Sequence, residues 1–258
     1  DLEAVENAIQ DNTVAVYFET PTNPLLQIAD IKAIADIAKK HGVKTIVDNT
    51  FATPYNQQPL TLGADIVVHS ATKYLGGHSD VVAGLAVTND DEIAEQLAFL
   101  QNSIGSTLGP DDSWLLQRGM KTLGARMRVH QENANEVINF LQNDDHIGKI
   151  YYPGLKDFPG HEVAAKQMRN FGAMISFELK DSLDAKKFVE SLQLIDLAES
   201  LGGIESLIEV PAVMTHGSIP REIRLENGIK DELIRLSVGI EDPEDIIADL
   251  QQALKKLD

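Results

Sequence analysis

Two short stretches decide the fold class: Val43–Asp48, which reads VKTIVD, and Ala64–Lys73, which reads ADIVVHSATK. Each contains a run of β-branched residues that ends in polar residues, a pattern typical of a buried strand followed by a loop. In open α/β sheets, ligands collect outside the carboxyl ends of the strands. We therefore expect Asp48 and Lys73 to converge on one pocket at that edge.

Strands and helices alternate on either side of these stretches. Further strands are predicted at Thr13–Phe18 and Val82–Val87. Between the first two strands, apolar residues at helical spacing predict a helix that Asp30 caps and Gly42 ends. Such alternation is typical of an α/β fold with a mostly parallel sheet and helices on both faces.

The second half of the chain has a different order of predicted helices and strands. A long helical pattern runs from Asp111 to about Leu141, and shorter strands and helices follow it. A helix of this length commonly bridges two bodies, so we place a domain boundary near residue 130. Residues 1–130 would form the first domain and residues 131–258 a smaller α+β domain.

The composition excludes several classes of function. The 258 residues include 22 Lys and Arg against 40 Asp and Glu, so the formal net charge is −18. This excess of acid disfavours nucleic acid and anionic membranes as partners. The chain has no cysteine, which excludes thiolate metal sites and cysteine nucleophiles and suits a cytoplasmic protein. No stretch has the length of a membrane helix, and no metal site is predicted.

Asp48 and Lys73 allow two interpretations. A structural ion pair is the commoner use of such residues. The alternative is a Schiff-base lysine beside a carboxylate that pairs with a cationic ring nitrogen, which is the combination that pyridoxal phosphate enzymes need. Ser70 and Thr72 precede the lysine by three residues and by one, and can offer donors to a phosphate, although an ordinary Ser/Thr turn has the same pattern.

Other polar positions could contact a ligand. Asn23 lies in a loop between two prolines and could bind a ligand oxygen or simply form a turn. Arg235 interrupts an apolar strand, so it needs a partner, which is either a substrate carboxylate or a structural one. Glu199 and Ser200 belong to a loop of small residues that could admit a ligand or merely connect two elements.

Several different short motifs are spread, in a fixed order, along essentially the whole chain. They are Glu19–Pro24, Asp48–Phe51, Leu62–Asp65, Ser70–Tyr74, Gly77–Gly84, Ala198–Gly203, Met214–His216 and Ile234–Gly239. Together they resemble the cysteine/methionine-metabolism family of pyridoxal phosphate enzymes. The members of this family include cystathionine γ-lyase, cystathionine β-lyase, cystathionine γ-synthase and methionine γ-lyase.

The resemblance implies a role for each matched residue near the cofactor. Lys73 would hold pyridoxal 5'-phosphate covalently and act as the catalytic base. Asp48 would pair with the pyridine nitrogen. Ser70 and Thr72 would bind the phosphate, and Asn23 would face the ring hydroxyl.

The resemblance also implies the substrate contacts. Arg235 would bind the α-carboxylate of the substrate, with Ser200 and Asn23 nearby. Glu199 stands where the γ-acting members tend to have Glu. The implied activity is that of a carbon–sulfur lyase of trans-sulfuration, cystathionine γ-lyase, which forms cysteine, 2-oxobutyrate and ammonia. Cystathionine γ-synthase, cystathionine β-lyase and methionine γ-lyase are the alternatives.

The implied architecture is the fold-type-I large domain, incomplete at its N-terminus, followed by the smaller domain. The chain resembles roughly the C-terminal two thirds of such an enzyme, so we expect a fragment, or a site that another chain completes. A homotetramer built from dimers is implied. A catalytically inactive assembly module is an alternative from a different class. A dinucleotide-binding protein is not favoured, because no Gly-x-Gly-x-x-Gly follows the first strand.

Overall fold

The computed structural model describes residues 1–180 and 183–257. Its first sheet contains, in spatial order, β1 (Ala15–Glu19), β2 (Lys44–Asp48), β3 (Ile66–Ser70) and β4 (Gly84–Val87). The first three strands are parallel, and β4 is antiparallel to β3. The sheet is therefore mixed, with a reversed strand at one edge. The connection from β3 to β4, residues 71–83, consists of turns and irregular structure and contains no crossover helix, and β4 runs antiparallel to β3.

Six helices are described in this half and in the connection to the second sheet. They are α1 (Leu2–Ala8), α2 (Ile31–Lys40), α3 (Thr53–Asn56), α4 (Asp91–Ile104), α5 (Pro110–Met120) and α6 (Leu123–Gln142), with a 3-10 turn at Pro59–Leu62. As predicted, Asp30 caps α2, because its carboxylate accepts a hydrogen bond from the Ala33 N–H at 2.9 Å. Ile31 of α2 packs on Val47 and Val67 of the sheet.

The second sheet is built mainly from antiparallel strands. These are β5 (Ile147–Tyr151), β6 (Met174–Leu179), β7 (Asp196–Leu197), β8 (Leu207–Glu209) and β9 (Leu233–Ser237), in the spatial order β5-β6-β9-β8-β7. Within this sheet, only β7 and β8 pair in parallel among the strands that the structure describes. The helices around it are α7 (His161–Gln167), α8 (Ala185–Glu190), α9 (Arg221–Glu226) and α10 (Pro243–Leu254). A large apolar core unites this sheet with α6, α8 and α10.

The long helix predicted over 111–141 is two helices, α5 and α6, which break around Lys121 and Thr122. Residue 130 lies within α6, and this helix contacts α3 of the first half as well as β5 and β6 of the second. The division into residues 1–130 and 131–258 stays a prediction. Residues 181–182 and 258 of the second range lie outside the described residues.

The two halves meet around the segment that follows β3. A buried cluster joins residues of both halves: Leu26, Phe51, Tyr74, Met127, Phe158, Met174 and Leu201. Gly202 adopts a φ of +74°, and a Cβ on it would lie 2.7 Å from the backbone nitrogen of Tyr74. Glycine is needed there for both reasons. The loop at Glu199–Gly203 is thereby held directly against the residue that follows Lys73.

In the part of the chain that the structure describes, no helix is both long and apolar enough to cross a membrane.

Candidate active site

A cavity of about 460 Å³ lies at the carboxyl edge of the first sheet. The ends of β1, β2 and β3 contribute Glu19, Asp48 and Ser70, and the loop after β3 contributes Lys73. Parallel strands end at the same edge, which is why these side chains meet. The second half of the chain adds the remaining polar wall: Glu199, Ser200, Thr215 and Arg235.

Lys73 is partly buried, and a neutral group holds its amine. Its Nζ donates a hydrogen bond to Ser200 Oγ at 3.1 Å. Burial and, next, the positive charge of Arg235 lower the pKa of Lys73, whereas the Glu209 carboxylate opposes that shift. A lower pKa increases the fraction of neutral amine, the form that attacks a carbonyl carbon or accepts a proton.

Asp48 ends β2 and accepts hydrogen bonds from two donors. The Thr50 N–H donates to Oδ1 at 3.0 Å, and the Tyr17 hydroxyl donates to Oδ2 at 3.1 Å. Burial, followed by the charge of Asp48, raises the pKa of Tyr17 to about 12, so the phenol keeps its proton. The carboxylate is therefore oriented by neutral donors, and its negative charge is available to a cationic group in the cavity.

The two hydroxyls predicted to bind phosphate take different positions. Ser70 lines the cavity, and its N–H donates to Thr50 Oγ1 at 2.8 Å. Thr72 is not part of the cavity wall. Its Oγ1 accepts a hydrogen bond from the Ala83 N–H at 3.0 Å and donates to the Ala83 carbonyl at 3.3 Å. The geometry supports Ser70, whereas the Thr72 hydroxyl stabilises the connection to β4. Phosphate binding by both residues stays a prediction.

Arg235, at the centre of β9, is 2% exposed. Its Nη1 lies 2.8 Å from Glu209 Oε1 and donates to Asn23 Oδ1 at 3.0 Å. Its Nη2 donates to the carbonyls of Glu199 and Ser200 at 2.7 and 3.1 Å. A structural carboxylate, one of the two partners that the sequence allowed, is therefore present. Arg235 also lines the cavity, so its charge can attract an anionic group that enters the cavity.

Asn23 links the loop after β1 to this cluster. Its side-chain oxygen binds Arg235, and its backbone N–H donates to Glu19 Oε1 at 2.5 Å. Burial raises the pKa of Glu19 to about 7; the Asn23 N–H opposes this shift, and Asp48 adds to it. Glu199 lies at the cavity wall with an exposed side chain. The structure thus places Asn23, Glu199 and Arg235 around one cavity, and their roles towards a substrate stay a prediction.

Sequence reasoning missed several residues of this site. Glu209 is fully buried beside Arg235, and Thr215 donates a hydrogen bond to Glu209 Oε1 at 2.9 Å. A charged residue in an otherwise apolar strand was the signal that selected Arg235, and the same signal at Glu209 could have found it. Tyr17 and Thr50 gave no such signal, because hydroxyl residues are ordinary in strands and turns.

The fold and the cavity together define a class of protein. A lysine with a lowered pKa, an oriented carboxylate and a carboxylate-binding arginine share one cavity at the carboxyl edge of an α/β sheet. These are the groups that an enzyme needs to process amino acids with pyridoxal phosphate.

The chain belongs to the family described as Cys/Met metabolism PLP-dependent enzyme, which matches residues 1–255. The resemblance inferred from the motifs is confirmed, and pyridoxal 5'-phosphate is the cofactor.

Curated relatives agree with this family. The chain is 62% identical over 256 residues to a protein named cystathionine beta-lyase from Lactococcus lactis subsp. cremoris (strain MG1363). That match covers 99% of this chain and 67% of the relative. The chain is 60% identical over 255 residues to a cystathionine gamma-lyase from Bacillus subtilis (strain 168), with 99% of this chain and 67% of the relative covered.

Solved structures share the fold. Cystathionine gamma-lyase from Lactobacillus plantarum, complexed with L-serine, is 58% identical with a TM-score of 0.98; the match covers 100% of this chain and 68% of that one. Cystathionine gamma synthase from Xanthomonas oryzae pv. oryzae, in complex with cystathionine, is 47% identical with a TM-score of 0.96, and the shares are 100% and 67%.

The residues present fit the cofactor. The cavity offers a primary amine for its aldehyde, a carboxylate for its ring nitrogen and the Ser70 hydroxyl for its phosphate. Among the described residues, one buried polar atom of a residue that lines this cavity, Arg235 Nε, has no hydrogen-bond partner. Buried polar groups are normally hydrogen-bonded, so a polar ligand in the cavity would explain this unpaired donor.

Proposed function

We propose that the chain is a pyridoxal-phosphate-dependent carbon–sulfur lyase of trans-sulfuration that acts as a cystathionine γ-lyase. Cystathionine and water would give cysteine, 2-oxobutyrate and ammonia. The observation that carries the proposal is that Lys73, Asp48 and Arg235 line one cavity. The gamma-lyases of Bacillus subtilis and Lactobacillus plantarum, at 60% and 58% identity, support the reaction.

The residues near the cofactor would have different roles in the reaction. When bound, pyridoxal phosphate supplies an electron sink that eases removal of the substrate α-proton. Lys73 would hold it and then take that proton, and Ser200 Oγ, 3.1 Å from Nζ, keeps the amine in place. Asp48 would pair with the ring nitrogen, which keeps the ring electron-poor. Ser70 and Thr72 would bind the phosphate.

The residues of the second half would hold the substrate. Arg235 would bind the α-carboxylate through its planar fork of N–H groups. Asn23 orients that guanidinium from the loop after β1 and would also face the ring hydroxyl. Ser200 lies beside the lysine amine, and Glu199 brings a negative charge to the exposed part of the wall.

Cystathionine β-lyase is the second candidate, because a relative with that name is 62% identical. The two reactions cleave opposite sides of the same sulfur atom, so their products differ. Incubation of the purified protein with cystathionine and pyridoxal phosphate, followed by mass spectrometry, tells them apart. Cysteine with 2-oxobutyrate supports the γ-lyase, and homocysteine with pyruvate would establish the β-lyase. Cystathionine formed from an activated homoserine ester and cysteine would favour the γ-synthase.

Borohydride reduction followed by peptide mapping tests the cofactor site independently of turnover. We expect a pyridoxyl group on Lys73. A folded protein that binds the cofactor but carries the label on another lysine would contradict the assignment of Lys73.

We propose further that the protein acts as a homotetramer built from two dimers. We also propose that a further segment of the enzyme or a neighbouring chain adds contacts to the cofactor. Exposed apolar side chains near β4, α4 and α5 support a contact surface: Val82, Phe99, Ile104 and Trp114. Light scattering measures the oligomeric state directly, and a monomer at full activity would contradict this part of the proposal.

A further inference from the structure

Both terminal nitrogens of Arg235 have close polar partners within the chain. A guanidinium has five N–H groups. Nη1 donates a hydrogen bond to Asn23 and forms an ion pair with Glu209, and Nη2 donates to the carbonyls of Glu199 and Ser200. Nε has no hydrogen-bond partner among the residues that the structure describes. A carboxylate ligand needs two neighbouring N–H groups for a two-point pair. One present partner must therefore move before a substrate carboxylate can bind in that way.

Glu209 is the partner of Arg235 that a carboxylate ligand can replace, because both present the same chemical group. It lies directly opposite Arg235 in the register of β8 and β9, so both side chains are on the same face of the sheet. Two of the other partners of Arg235 are backbone carbonyls, and Asn23 is neutral. Only Glu209 offers the guanidinium the same group that a substrate would offer.

The surroundings of Glu209 do not favour two carboxylates with full charge. Glu209 is fully buried, and its Oε2 has no hydrogen-bond partner in the described part of the chain. The charged groups that act on it are Arg235 and Lys73, which are positive, and Glu199, which is negative. Thr215 donates a hydrogen bond to Oε1 at 2.9 Å, and the same hydroxyl lies 2.9 Å from His216 Nδ1.

A second carboxylate at Arg235 would share a cation that now balances Glu209. Like charges in a buried site raise the pKa of one of them, so one carboxyl group takes up a proton. The proton goes to the carboxyl group that is shielded from water, and burial already raises the pKa of Glu209. A substrate carboxylate that enters from the open cavity keeps access to water and stays charged.

We propose that Glu209 is an internal substitute for the substrate carboxylate: it occupies Arg235 in the free enzyme and takes up one proton from solvent when a carboxylate ligand replaces it. The inference rests on the proposed function in one respect, the assignment of Arg235 to the substrate carboxylate. Its consequence is that substrate affinity falls as pH rises, because each binding event requires a proton.

Calorimetry of the pyridoxal-phosphate-loaded protein tests this with 4-(methylsulfanyl)butanoate. This ligand has the carboxylate and a thioether but no amino group, so it binds without reacting at the cofactor. Titrations in two buffers of different ionisation enthalpy at the same pH give the number of protons taken up. We expect close to one proton per ligand in the wild type, and a Kd that rises up to about tenfold per pH unit.

Glu209→Gln keeps the shape and the hydrogen bond from Thr215 but removes the charge. It should abolish the proton uptake and bind the ligand about tenfold more tightly, which is the effect of a pKa shift of one unit. Glu205→Gln is the matched control, since its carboxylate is exposed and contacts Ser79 Oγ at 3.5 Å rather than Arg235. This control should bind and take up protons as the wild type does.

Thr215→Val is the second variant in case Glu209→Gln does not fold. It removes the hydroxyl that favours the charged form of Glu209, so proton uptake should be smaller than in the wild type. Uptake that is absent in the wild type, or unchanged in both variants, would overturn the proposal. A wild type that does not bind the ligand would overturn it as well, by removing the carboxylate role of Arg235, whereas the product assay with cystathionine tests the proposed reaction separately.

Discussion

The two walls of the cavity hold their charged groups in opposite ways. On the wall from the first sheet, Lys73 and Asp48 are partly buried and are held by neutral donors or acceptors. On the wall from the second sheet, Arg235 is 2% exposed and forms an ion pair at 2.8 Å with Glu209, which is 0% exposed. The two groups placed to serve the cofactor are thus free of a strong ion pair. The guanidinium placed to recognise a substrate charge has a buried counter-ion.

Lys73→Met is the sharpest test of this comparison, because it should remove activity and leave stability almost unchanged. Loss of the base alone should lower kcat at least about 10³-fold. Removal of a partly buried amine held by one hydroxyl should change the free energy of unfolding by less than about 1 kcal/mol. Steady-state kinetics and urea unfolding measure the two effects. Residual turnover of a few per cent would show that the base lies elsewhere.

Arg235→Met should affect stability strongly, unlike the lysine variant. It leaves the Glu209 carboxylate buried without its counter-ion, which costs about 3–5 kcal/mol. The double variant Arg235→Met/Glu209→Gln should recover more than half of that loss, because no buried charge is left. Denaturant unfolding of both variants is the measurement. Equal stability of the single and double variants would contradict a pair that is coupled through charge.

The junction between the two walls should make stability depend on pH through His130. This residue is fully buried in α6, its Nδ1–H donates to the Val238 carbonyl at 2.7 Å, and its ring packs edge-on against Tyr74. Burial lowers the pKa of His130 to about 4. The unfolded chain therefore binds this proton more readily than the folded one does. The stabilisation is complete above about pH 6.5 and is lost as the pH falls towards 4.

Between pH 7.5 and 5.0 this loss should amount to about 2 kcal/mol. His130→Gln can keep a donor towards Val238 and has no titrating group. The difference in unfolding free energy between the wild type and this variant, measured at the two pH values, isolates the effect from that of the carboxylates. A difference that does not change with pH would refute it.

Gly202→Ala tests the contact that holds the two walls together. Gly105 provides the control, because its φ is +80° and a Cβ there would have no atom within 4 Å. The left-handed backbone alone should cost about 1 kcal/mol in either variant. The close approach to the Tyr74 nitrogen should add about 1–2 kcal/mol for Gly202→Ala only. Thermal unfolding compares the two, and equal losses would mean that the loop yields without strain.

The first wall was largely predictable from the sequence and the second was not. Asp48 and Lys73 follow strands that are neighbours along the chain, so topology alone brings them together. The position of Arg235 in that cavity depends on the packing of the second sheet against the first, which no local pattern encodes. The structure also separates Ser70, which lines the cavity, from Thr72, whose hydroxyl binds the backbone of Ala83.

The antiparallel β4 is a second feature that local sequence patterns did not reveal. Its apolar run predicted a strand, but the direction depends on the connection, and only a loop links it to β3. Residue 130 provides another example, since the helical pattern could not reveal that α5 and α6 are separate or that α6 contacts both halves.

By itself, the sequence determined the alternation of strands and helices, the family and the residues proposed to serve the cofactor, because these depend on local periodicity and on motifs read in order. Only the tertiary structure decided that Glu209 neutralises Arg235, that Ser200 holds Lys73 and that Tyr17 holds Asp48. Those contacts depend on strand register and on the packing of segments distant in the chain. Both are set by burial of the whole core rather than by any single stretch.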